Sequence, residues 1–224
     1  MRVPNDMIRP HVLEYIRGVI PFTEDEILRN LSKRCREEDV PTLEPEAESL
    51  LRILLRLRPS RRVLEVGTAY GYSAILMSHY LKEGGTILTI ERNEVMWKVA
   101  EENILAAGLS EVIDLHKGQA AEILKALQEP YDFILLDASV GQYEEFFREA
   151  KRLLNPQGIL MADNVLHGGM VAHERLDIPR RQRTIHARMR AFLEDVFHDP
   201  EMESFLEPVG DGVLISIKKE EGVL

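Results

Sequence analysis

The stretch RVLEVGTAYGYS, residues 62–73, decides the fold. The apolar run Arg62–Val66 passes without a break into Gly67, Thr68, Ala69, Tyr70, Gly71, Tyr72 and Ser73. Glycines at a strand end let the backbone turn tightly and approach a ligand that a Cβ would repel. In open α/β sheets, ligands bind beyond the carboxyl ends of the strands, where this loop falls. The loop lacks both the third glycine of the dinucleotide fingerprint and the lysine of a phosphate loop, so a polyphosphate ligand is disfavoured.

Downstream, short apolar runs alternate with amphipathic stretches. Strands are expected at Arg62–Val66, Thr86–Ile90, Val112–Leu115, Tyr131–Leu136 and Gly158–Ala162. Helices are expected between them at Tyr72–Leu81, Glu94–Ala107, Ala120–Gln128 and Tyr143–Leu154. Successive βα units demand a mostly parallel sheet covered on both faces. The end of the chain breaks that rhythm. After a helix near Thr184–Phe197, the run Phe205–Pro208, the turn Gly210–Asp211–Gly212 and the strand Val213–Lys218 read as an antiparallel hairpin. The expected fold is therefore α/β and Rossmann-like, with a mostly parallel seven-stranded sheet and a C-terminal antiparallel hairpin.

Upstream, residues 1–58 read as an N-terminal helical extension of one domain spanning 1–224. Its helices are expected at Asp6–Gly18, Thr23–Glu38 and Glu44–Leu57, separated by Pro21, Pro41 and Pro59. Thr23 and Glu26 have capping-box spacing. The length, 224 residues with 45% hydrophobic, suits one sizeable core. No apolar stretch of membrane-spanning length and no secretory leader is visible, so the cytoplasm is the expected compartment. The single cysteine, Cys35, excludes an internal disulfide and cysteine-cluster metal sites. A net charge of −10 disfavours indiscriminate attraction to nucleic acid.

Polar residues recur where strands end. Glu91, followed by Arg92, closes the second strand, where a carboxylate can accept both hydroxyls of a ribose; the competing reading is a cap for the next helix. The third strand leads to Gly118, Gln119 and Ala120, a turn suited to line an adenine pocket. Asp137 ends the fourth strand, and Asp163 and Asn164 end the fifth. Two carboxylates and an amide at one sheet edge suit Mg²⁺ or another hard divalent cation. Asp and Asn also favour caps and loops, which is the plainer alternative. His167 and His173 lie nearby and read as loop residues.

Together these stretches resemble the cation-dependent O-methyltransferase family that includes catechol and caffeoyl-CoA methyltransferases, a class I S-adenosylmethionine (SAM)-dependent fold. The resemblance is carried by VLEVGTAYGYSAILM, the acidic IER strand end, AAGL with the GQA turn, YDFILLDA with Tyr143 downstream, and LLNPQGILMADNVLHGG. It implies that SAM is held by Glu65, Gly67, Thr68, Tyr70, Gly71, Ser73, Glu91, Arg92, Gly118, Gln119, Ala120 and Asp137. It implies that Asp137, Asp163 and Asn164 hold the metal and act in catalysis through it, and that the protein is a homodimer. GQYEEFF, RPHVLEYI and PVGDGVLIS are similar to the bacterial tRNA 5-hydroxyuridine methyltransferase branch.

Two positions depart from the family. Its Asp-Ala-x-Lys appears here as Asp137–Ala138–Ser139–Val140, and valine can neither take a proton nor offset an oxyanion. Its Arg-x-Phe-Asn becomes Arg190–Ala191–Phe192–Leu193. Five arginines fall between Ile178 and Arg190 without an acidic residue: Arg180, Arg181, Arg183, Arg188 and Arg190. They offer a patch for RNA phosphates or, more plainly, a solvated helix face. The leading expectation is methylation of wobble 5-hydroxyuridine in tRNA to 5-methoxyuridine. A small-molecule catechol methyltransferase and a catalytically impaired SAM- or RNA-binding module are the alternatives.

Overall fold

A computed structural model describes residues 8–21, 23–138 and 140–220. The elements are α1 (Pro10–Val19), α2 (Glu26–Glu37), α3 (Pro45–Leu57), β1 (Ser60–Val66), α4 (Tyr72–Ser78), β2 (Leu81–Glu91), α5 (Glu94–Ala106), β3 (Ile113–Lys117), α6 (Ala120–Ala126), β4 (Tyr131–Leu136), α7 (Tyr143–Leu153), β5 (Leu154–Ala162), α8 (Arg183–His198), β6 (Met202–Glu207) and β7 (Val213–Lys218). The sheet order is β3-β2-β1-β4-β5-β7-β6. β1 to β5 run parallel, while β7 is antiparallel to both β5 and β6.

The period-two pleat sorts the core into two layers. Val63, Ile87, Phe133, Leu135, Ile159 and Met161 face one side, where they meet Leu28, Leu31, Leu51 and Leu55 of α2 and α3, Ile75 of α4 and Ile104 of α5. Leu64, Val66, Ile134, Leu136, Leu160 and Leu214 face the other, against Leu124 of α6, Phe146 and Phe147 of α7, and Phe192 of α8. Each central strand is apolar on both faces because helices cover both. Cys35 is buried in the first layer.

Several boundaries differ from the sequence reading. α2 begins at Glu26, and its cap is Asp25, whose side chain accepts the Leu28 amide at 2.9 Å. Thr23 instead accepts the Asp25 amide at 3.3 Å, one step outside the expected capping box. α4 stops at Ser78, whose hydroxyl donates to the Ile75 carbonyl at 2.7 Å, a local bond that competes with continuation of the helix. Leu81 therefore opens β2, opposite Ser60. β5 starts at Leu154, and its pairing with β4 jumps from Leu154 to Ile159. The expected start of the first helix, at Asp6, lies outside the described residues. Among the described residues no helix is long and apolar enough to cross a membrane.

Candidate active site

The parallel register brings the strand ends together. Val66 pairs with Ile90 and with Leu136, and Leu136 pairs with Ala162, so the residues that follow emerge along one edge. The ladder continues one step beyond: Gly67 N–H donates to the Ile90 carbonyl, Asp137 N–H to Val66 and Asp163 N–H to Leu136, all at 2.9–3.0 Å. Gly67 has φ 105°, and a Cβ there would lie 1.9 Å from the Asp137 carbonyl oxygen. Only glycine permits that approach of β1 to β4.

A cavity of about 370 Å³ opens over this edge, lined among others by Gly67, Glu91, Arg92, Gly118, Gln119, Ala120 and Asp137. Both carboxylate oxygens of Glu91 are oriented by backbone, Oε2 accepting from Ala69 at 3.0 Å and Oε1 from Asn93 at 2.8 Å. Asn93, not Glu91, caps α5, accepting from Val95 at 2.9 Å. Sequence reasoning missed other walls of this cavity, notably Met96, Gln142 and Phe146. Gln142 and Phe146 fall within GQYEEFF, a stretch quoted above for its likeness to a family branch and not as a cavity wall, while Met96 comes from the face of α5 with no local motif.

The remaining residues expected around SAM, Glu65, Thr68, Tyr70, Gly71 and Ser73, do not line this cavity. Glu65 is fully buried and accepts a hydrogen bond from Thr89, which is 2.6 Å from the Thr68 hydroxyl. Burial drives its pKa up to about 7 against the opposing bonds from Ser73 and Thr89. Thr68, Tyr70 and Ser73 line a small crevice beneath Pro41–Leu43. The Tyr70 hydroxyl donates to Glu38 at 2.6 Å, and Gly71 caps α4 in the left-handed region.

A second cavity of about 340 Å³ contains Asp137, Asp163, Asn164, Leu13, Arg17, Glu44 and Asp211 in its wall. It shares Pro41, Asp137 and Asn164 with the first, so the two spaces meet at the strand-end polar residues. Asn164 sits at φ 62°, a conformation asparagine tolerates, and its amide donates to Asp137 at 3.2 Å. Asp163 is 3% exposed, and its Oδ1 is buried without a hydrogen-bond partner. Desolvation pushes Asp137 up to about 6. Burial first, then the Asp137 charge, holds Asp163 well above the usual carboxylate range. Among the described residues no three carboxylate, imidazole or thiol side chains gather as a metal-binding group; this set has two carboxylates and an amide. Tyr143 secures it from below, its buried hydroxyl donating to the Asp163 carbonyl at 2.9 Å. His167 and His173 line neither cavity.

An open parallel sheet with a terminal antiparallel hairpin and a glycine-turned crevice at its central strand ends is the class I SAM-dependent methyltransferase fold. A family model described as O-methyltransferase matches residues 20–219, and the chain belongs to that family, a group of SAM-dependent enzymes related to catechol and caffeoyl-CoA O-methyltransferases. It is 33% identical to a catechol O-methyltransferase of Niastella koreensis, covering 80% of this chain and 83% of that one. It is 28% identical to caffeoyl-CoA O-methyltransferase 1 of Eucalyptus globulus over 94% of this chain and 88% of the other. The crystal structure of the O-methyltransferase TomG of Streptomyces achromogenes, involved in tomaymycin synthesis and solved with SAM, superposes with TM-score 0.79 at 29% identity, covering 94% and 96% of the two chains.

These relatives overturn the tRNA expectation, both as substrate and as partner: they are named for small-molecule acceptors. The arginine segment agrees with that correction. Arg183 donates to the carbonyls of Ile178 and Leu176, Arg188 to Gly141 and Arg190 to His173. Three of the five arginines thus tie down loops, and neither they nor the exposed Arg180 and Arg181 line either of the two cavities. The enzyme assignment likewise sets aside the reading of an impaired binding module. Ser139 and the Val140 side chain lie outside the described residues.

Proposed function

We propose that the protein methylates one hydroxyl of a small aromatic vicinal diol, a catechol-type acceptor, using SAM and a divalent cation held by Asp137, Asp163 and Asn164. The observation that carries this reading is the meeting of the two cavities at Asp137 and Asn164, beside a buried Asp163 oxygen without a partner. A buried, unpaired carboxylate oxygen is costly unless something compensates it, and two carboxylates with an amide oxygen are the donor set a hard cation takes. Bound there, the cation would lower the pKa of an acceptor hydroxyl. Mg²⁺ is the expected ion.

The chain's own part is positioning. Glu91 fits the ribose of SAM, with the backbone around Gly67 and Gly118 close enough to hold the rest of the donor, and Glu65, Thr68, Tyr70, Gly71 and Ser73 keep that loop in place. Arg92, Gln119 and Ala120 complete the adenosine side. Met96 and Phe146 give the cavity apolar walls that would limit water around a bound donor. SAM held there would supply the methyl group: an acceptor oxygen reaching it from the second cavity would form the O–C bond as the S–C bond broke, with S-adenosylhomocysteine as leaving group and the hydroxyl proton passing to solvent. Alignment of this kind is worth several orders of magnitude in rate.

Residues 1–224 form one domain in this reading, with 1–58 as its helical extension, and the protein works as a homodimer, to be checked by light scattering. A comparison of catechol with phenol as acceptors of the labelled SAM methyl group tests the function. Catechol is expected to yield 2-methoxyphenol while phenol is inert; equal labelling of both would remove the need for vicinal oxygens and with it this reading.

A further inference from the structure

The acceptor cavity carries an uneven charge. Its described wall holds four carboxylates, Glu44, Asp137, Asp163 and Asp211, and one cation, Arg17. That cation is committed. Arg17 Nε donates to Glu46 Oε2 at 2.9 Å, and Nη2 donates to Glu46 Oε1 and Glu44 Oε2 at 2.8 Å each. A guanidinium bridging two glutamates has no net positive charge to offer an acidic ligand. A divalent cation on Asp137 and Asp163 would offset those two carboxylates and leave Asp211 as an uncompensated charge on the wall. Asp211 sits in the β6–β7 turn, and its Oδ1 accepts the Gly168 amide at 3.0 Å, which fixes the carboxylate beside the loop that follows β5. Gly212 next to it packs so closely that a Cβ would lie 2.5 Å from the Leu166 side chain, so the turn is pinned against that loop. The buried, unpartnered Asp163 oxygen in the same cavity marks the space as one built for a ligand.

We propose that Asp211 makes this cavity select catechols by the charge of their tail, favouring a cationic amine over a carboxylate. The inference rests on the catechol reading above and narrows it to a substrate class. Opposite charges within a few ångströms at a partly buried site interact strongly enough to discriminate by an order of magnitude, and the effect is screened by salt.

The test measures kcat/KM with SAM and Mg²⁺ for three acceptors: catechol, catechol with a 2-aminoethyl tail and catechol with a 2-carboxyethyl tail. The amine is expected to exceed the acid by about tenfold or more at low ionic strength. That ratio should fall toward one in Asp211→Asn, whose side-chain oxygen still accepts the Gly168 amide. It should also fall in the wild type as salt is raised, a reading that stands if the variant fails to fold. An acid turned over as well as the amine by the wild type overturns the proposal, as does a ratio unchanged in folded Asp211→Asn or unchanged by salt. Failure on all three catechols defeats the catechol reading itself and this inference with it, so the two failures are distinct.

Discussion

At Gly67 a single methyl would strike the carbonyl of Asp137 at 1.9 Å, with φ already at 105°. Gly67→Ala is expected to lower stability by roughly 3 kcal/mol, combining the clash with left-handed strain, and to abolish detectable SAM binding. Urea melts and titration calorimetry check the two effects. Glu65 makes a prediction in pH. Burial raises its pKa from an ordinary 4.5 to about 7, so between these values the folded state holds a proton that the unfolded state has released. Stability from this group is therefore highest below pH 4.5 and declines as pH rises to about 7. The loss is on the order of 3 kcal/mol. Glu65→Gln should flatten that decline, seen as a smaller difference in Tm between acid and neutral pH; an identical pH profile would contradict the assignment. At this scale the sequence was legible wherever a polar residue followed an apolar strand, as at Glu91, Asp137 and Asp163. Glu65 entered only through the family resemblance, as a residue expected at SAM; its contact with Thr89, which joins residues 24 positions apart across two strands, was not visible.

Among the elements, those with strong periodic signals were read well: β4 and β7 have the expected limits, and α5 and α7 differ by one residue at their C-terminal ends. Two of the errors, at the start of α2 and the end of α4, sit where a local side chain competes with propensity. Asp25 took the cap that Thr23 was expected to supply, because its carboxylate reaches the Leu28 amide. Asp25→Ala should therefore cost about 1 kcal/mol in a denaturant melt, and Thr23→Ala much less. Tyr143 shows what pattern reading cannot weigh: its place at the start of α7 was visible, its role in tying α7 to the end of β5 was not. Tyr143→Phe leaves the ring packed against Phe192 and removes that tie. It is expected to reduce turnover about tenfold with a change in Tm of only a few degrees. Unaltered turnover would show that the strand ends hold their geometry without the hydroxyl.

For the whole molecule, the alternation of strands and helices sufficed for the architecture, because a parallel sheet apolar on both faces leaves few ways to cover it. The substrate was not legible in the same way. Charge along the chain suggested a polyanion site at Arg180–Arg190, yet none of those arginines lines the cavity that holds Asp137, Asp163 and Asn164, whose wall carries carboxylates instead. A run of like charges says how many cations exist, and only the fold says which of them face a cavity. The central claim is that the strand-end carboxylates act through a divalent cation. It is tested most directly by catechol turnover in chelator-treated protein before and after Mg²⁺ is restored, for the wild type and Asp163→Asn in parallel. Chelation is expected to lower wild-type turnover about a hundredfold or more, with Mg²⁺ restoring it in the wild type and not in the variant; undiminished turnover in chelator would contradict the claim.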